Sequence, residues 1–118
     1  TYMNMLITQK IDLFKEAQVL LNDKLQNLLK KAGSFKWEWE YFLHEQITRA
    51  LVAYLYKKNI NENAWQQECS RQEKIGFIYT KDISLLLEKF DLQRNQYGNF
   101  SNFIPEIAAY FKTQKPIL

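Results

Sequence analysis

Apolar residues first recur along this chain at Ile11, Phe14, Leu21, Leu25, Leu28 and Ala32, in alternating steps of three and four with only Gln18 interrupting the series. That spacing predicts one amphipathic helix over roughly residues 3–32. Leu13, Ala17, Leu20 and Leu29 widen its apolar face, as packing on more than one neighbour requires. Lys30 and Lys31 followed by Gly33 form its stop.

The stretch "GSFKWEWEYFLHEQITRAL" (33–51) carries two competing periods. Phe35, Trp37, Trp39 and Tyr41 alternate as in a strand, whereas Trp39, Leu43, Ile47, Ala50, Leu51 and Tyr54 follow a helical period. A strand would have to fuse to the following helix with no turn between them. The helical reading therefore prevails, with Ser34 as cap, Glu38 and Glu40 near the positive end of the dipole, and an end at Lys57, Lys58 and Asn59. Its length would be about 36 Å.

Three shorter helices are expected beyond it. The first is capped by Asn63, with Gln66 three residues later, and is closed by Gly76; its thin apolar side consists of Trp65, Cys69 and Ile75. A brief extended stretch, Phe77 to Tyr79, leads to a second helix capped by Thr80, which buries Ile83, Leu86, Leu87 and Phe90. "DLQRNQYGNFSNF" reads as an irregular loop around Gly98. The last helix buries Ile104, Ile107, Ala108 and Phe111, holds Pro105 in its first turn and stops near Lys115, before Pro116. The expected fold is one all-α domain over residues 1–118: a compact antiparallel bundle of two long helices followed by about three shorter ones.

Composition agrees. Three Gly and two Pro among 118 residues are too few for a hairpin-rich β fold. The unusual figure is 18 aromatic residues, which makes for a bulky core with some rings at the surface. The formal charge of +3 is too mild to demand a nucleic acid or an acidic membrane, and no membrane partner is expected. The single cysteine, Cys69, cannot form an internal disulfide, and no run of about 18 apolar residues or secretory signal is present. These features suggest a cytoplasmic protein. The chain opens on Thr1 rather than Met, as would a fragment or added residues ahead of Met3.

Few residues suggest catalysis. "HEQIT" (44–48) has the first half of a zinc-protease motif, but Thr48 stands where the second His belongs and the chain has no other His. No metal or other cofactor is expected, and no catalytic residue is assigned. Cys69 and His44 could pair as nucleophile and base only if the fold brought them together; a lone Cys on an apolar helix side is more simply a small core residue. Gly33, Gly76 and Gly98 lie too far apart for a phosphate loop.

Lys30, Lys31, Lys57, Lys58, Arg71 and Lys74 all fall in last helical turns, where the dipole favours cations; gathered together they would make a nucleic-acid-binding patch. Phe77, Tyr79, Tyr97, Phe100 and Phe103 lie in or beside loops. Either "YGNFSNF" folds back to plug the end of the bundle, or Tyr79, Tyr97, Phe100 and Phe103, with Ile117 and Leu118, form a contact patch for another protein or a second copy of the chain.

With helices placed, "EYFLHEQITRALVAYLYKKN" (40–59) and "TKDISLLLEKFDL" (80–92) resemble the HEPN superfamily of prokaryotic helical domains. Active members carry an Arg and His pair on a late helix, and here no His follows Arg49, Arg71 or Arg94. The resemblance thus implies a non-cleaving member that binds RNA, a nucleotide or a partner protein, as in defence or toxin–antitoxin systems. The leading expectation is a non-enzymatic helical protein-interaction module with an aromatic-rich surface. A nucleic-acid- or nucleotide-binding domain comes second.

Overall fold

Ile11, Phe14, Ala17 and Leu20 are separated by steps of three, a spacing that a 3-10 helix aligns on one face. On an α-helix each such step rotates a side chain about 60° away from its predecessor. On a 3-10 helix, residues three apart eclipse. The computed structural model, which describes residues 2–118, places Ile11–Leu20 in a 3-10 helix that buries Phe14, Ala17 and Leu20, with the last helix (Ile104–Thr113) packed on it.

This segment divides the single N-terminal helix expected from the sequence. Helix α1 (Tyr2–Gln9) precedes it, and α2 (Asp23–Leu29) follows. Between them, Asn22 adopts extended backbone and its Oδ1 accepts from Leu25 N at 3.1 Å, so a residue read as helix interior is in fact a cap. Its Nδ2 donates to Ile117 O at 2.9 Å, tying the C-terminal tail to α2.

The contest between strand and helix in residues 34–38 resolves as neither. Gln26 accepts from Trp37 N at 3.0 Å and donates to Trp37 O at 2.9 Å, so one side chain satisfies the backbone that a strand partner or a helical turn would otherwise engage. Helix α3 (Trp39–Asn59) therefore begins after Glu38, not after Ser34. Trp37 is buried in the approach to it, and the Trp39 indole donates to Phe14 O at 2.9 Å.

Helix α4 (Glu62–Lys74) is capped by Asn61, whose Oδ1 accepts from Ala64 N at 2.8 Å; the expected cap, Asn63, lies inside the helix. It closes at Gly76, as expected: with φ +106°, Gly76 N donates to Glu73 O at 3.2 Å and Phe77 N to Gln72 O at 3.0 Å, a Schellman closure.

Phe77 to Tyr79 form a buried turn rather than an extended stretch. Thr80, expected as a cap, is the first residue of α5 (Thr80–Leu92); its hydroxyl donates to Phe77 O at 2.6 Å and accepts from the buried Gln46 amide at 3.0 Å. The stretch expected as loop contains the short α6 (Arg94–Tyr97) and a 3-10 turn, Phe100–Asn102, before α7 (Ile104–Thr113).

Among the described residues there is no strand, and the fold is all-helical. The radius of gyration, 13.9 Å, matches the roughly 13.5 Å of a compact chain this long. The expected two long helices give way to one: α3, with 21 residues, packs chiefly on α5 and α4, while α7 lies on the first 3-10 segment. Rings from most elements form a web that includes Phe14, Trp37, Phe42, Phe77, Tyr79 and Phe111.

Candidate functional site

Leu51, Leu55 and Lys58 recur at helical spacing on α3, and Leu87, Phe90 and Asp91 do so on α5. These two rows line a cleft of about 440 Å³ together with Tyr2 and Met3 of α1 and the Gly98 to Phe100 turn. The walls are mainly apolar. Leu55 is 40% exposed.

The mouth of the cleft is charged. Lys58 Nζ donates to Asp91 Oδ2 at 2.7 Å, Arg94 Nε donates to Oδ1 at 2.9 Å, and the Tyr54 hydroxyl also donates to Oδ2. Lys58 first, then Tyr54 and Arg94, hold the Asp91 carboxyl well below the usual carboxylate range. Burial, reinforced by the hydrogen bond to Asp91, pushes the Tyr54 phenol up to about 12. Asp91 is therefore a fixed anion, and Tyr54 a fixed donor, across the physiological pH range. The Arg94 guanidinium lies 5.3 Å from the centre of the Phe90 ring, so cation and apolar wall are continuous.

Of the four aromatics anticipated as a contact patch, Tyr79 and Phe103 are buried. Tyr97 and Phe100 are half-buried, with ring centres 4.9 and 6.3 Å from Phe103. "YGNFSNF" thus folds back on the core, and of the four only Phe100 lines the cleft. Phe77 too is buried, whereas Ile117 is half-buried and Leu118 exposed. Exposed rings are contributed by other residues: Tyr2 lines the cleft, and Phe35 and Tyr41 flank Trp37, with ring centres 4.8 and 5.2 Å from it.

The six basic residues do not form one free patch. Lys57 binds Glu88 at 3.0 Å and covers the Trp65 ring, Lys58 binds Asp91, and Arg71 binds the buried Glu68 carboxylate. Lys30, Lys31 and Lys74 are exposed at helix ends.

Cys69 and His44 are not brought together. Cys69 is buried against Ala53 and Trp65, and Ala53 lies nine residues along α3 from His44, a rise of about 13 Å. His44 Nε2 instead lies 3.1 Å from the Thr8 hydroxyl, which donates to Glu40 Oε2 at 3.0 Å.

Among the described residues no group of three His, Cys, Asp or Glu side chains is arranged to hold a metal ion, and no helix is long and apolar enough to cross a membrane.

Sequence reading missed the cleft because Leu51, Leu55 and Leu87 look like ordinary edges of apolar stripes. The pairing of Lys58 with Asp91 spans 33 positions, and no local spacing announces it.

Comparison with curated proteins and with solved structures gave no match. A family model described as "Domain of unknown function (DUF4932)" matches residues 1–110, nearly the whole chain, and the chain accordingly belongs to that family.

Proposed function

We propose that this domain is a non-enzymatic interaction module that receives an apolar segment of a partner protein in the cleft between α3 and α5. The observation that carries the reading is the cleft itself: a mainly apolar lining with a few polar groups, of the size and make-up typical of binding sites. Leu55, which lines it and is 40% exposed, adds apolar surface that a partner would cover. Phe90 and Phe100 supply aromatic surface to the cleft, and Phe103 packs against both from the core, with ring centres 5.3 and 6.3 Å away. A reducing compartment, the cytoplasm, suits the lone buried Cys69.

The alternative, a non-cleaving HEPN-like domain that binds nucleic acid or a nucleotide, draws on exposed Lys30, Lys31 and Lys74. It has less support, because Lys57 and Arg71 are held by Glu88 and by the buried Glu68.

The test is selection of 12-residue peptides from a random display library against the chain, followed by binding of the selected peptides to Leu55→Asp. Leu55 is exposed enough for the substitution to leave the fold intact, which circular dichroism would verify. The expected result is binding at least about tenfold weaker to the variant, as for removal of a central apolar anchor. Equal binding to both forms, or no peptide selected, overturns the proposal.

A further inference from the structure

The mouth of the cleft holds two cations and one carboxylate. Asp91 is only 14% exposed, and both of its oxygens are engaged, Oδ2 by Lys58 and Tyr54 and Oδ1 by Arg94. The cations are far more open: the side chain of Lys58 is 51% exposed and that of Arg94 is 66% exposed. Arg94 binds Asp91 through Nε, and the rest of its guanidinium, on a side chain 66% exposed, is open to a further carboxylate. Nor does the neighbouring carboxylate on α5, Glu88, balance this charge, since it takes Lys57 at 3.0 Å. The mouth therefore carries a net positive charge beside an apolar trough.

We infer that the occupant of the cleft is a protein segment bearing an apolar anchor with an Asp or Glu next to it, the anchor lying between Leu51, Leu55 and Leu87 and the carboxylate on Arg94 and Lys58. The inference rests on the proposed function and specifies the partner's chemistry. A second carboxylate would complete a network of two cations and two anions, with Phe90 holding the guanidinium against the apolar wall. Asp91 acts in this arrangement as a positioning residue that fixes both cations from behind.

The experiment uses the display-selected peptides, each remade with every Asp and Glu replaced by Asn and Gln. Against the wild-type chain, neutralised peptides are expected to bind about threefold to tenfold more weakly, a gap that narrows when salt rises from 50 to 500 mM. Against Arg94→Gln, charged and neutralised versions should bind nearly alike, while the neutralised peptide keeps its wild-type affinity, which shows that the variant is folded. Charged and neutralised peptides that bind wild type equally, yet lose affinity to Leu55→Asp, would overturn the carboxylate and leave the cleft reading standing. Loss of neither would bring down both. Self-association of the chain that Leu55→Asp abolishes would give the cleft to a second copy and likewise overturn the inference.

Discussion

Phe111→Ala is expected to destabilise the domain by about 3–5 kcal/mol, with a fall in melting temperature of about 10–20 °C. The ring is fully buried, and its neighbours come from four different stretches of chain: Phe14 at 6.1 Å, Trp39 at 5.9 Å, Tyr79 at 5.4 Å and Tyr110 at 5.4 Å between ring centres. All four contacts are edge-to-face and would be lost together with the buried area. The site cannot collapse easily, because Trp39 is anchored through its indole to Phe14 O and Tyr110 through its hydroxyl to Asp82 at 2.8 Å. Calorimetry or urea unfolding measures the loss. A cost under about 1 kcal/mol would mean that α7 is not held to the first 3-10 segment by this ring.

Gly76→Ala is expected to cost about 2–4 kcal/mol, from two causes that a control can separate. Gly76 has φ +106°, where any L side chain is strained, and a Cβ built there would lie 2.7 Å from Leu29 Cδ2 and 2.9 Å from Leu29 N. Backbone cannot yield as a side-chain tip can. Gly98 also has a positive φ, +70°, but a Cβ there would meet nothing within 4 Å. Gly98→Ala should therefore cost only about 1–2 kcal/mol, the conformational part alone. Equal costs for the two substitutions in urea unfolding would deny that the end of α4 is pressed against α2.

How much of this was legible beforehand depends on which interaction decides each element. Helices α3, α4, α5 and α7 were readable from their apolar periods, and the closure at Gly76 from residue type. The 3-10 segment was not, because Ile11, Phe14, Leu21 and Leu25 fit an α-helical stripe as well as Phe14, Ala17 and Leu20 fit a 3-10 one. What distinguishes them is contact with α7, which is distant in sequence. Residues 34–38 were misjudged for a related reason: neither period wins where Gln26, 11 positions away, takes both backbone groups of Trp37.

The site was less visible still. Loop-borne aromatics suggested surface, yet Phe77 and Tyr79 are buried, since the polar groups of their turn are satisfied internally: Tyr79 N donates to Gln46 Oε1 at 3.0 Å and Phe77 O accepts from Thr80. Basic pairs suggested a patch, yet three of the six cations meet carboxylates contributed by α4 and α5. Only the assembled helices define a trough between Leu51, Leu55 and Leu87.

Methyl chemical-shift mapping of the chain with a display-selected peptide is the most direct measurement. Binding in the cleft predicts that the methyl signals of Leu51, Leu55 and Leu87 shift together and saturate with one affinity, while those of Leu13 and Val19, exposed on the first 3-10 segment, stay in place. Saturating shifts at Leu13 and Val19 with the three cleft leucines unmoved would contradict it.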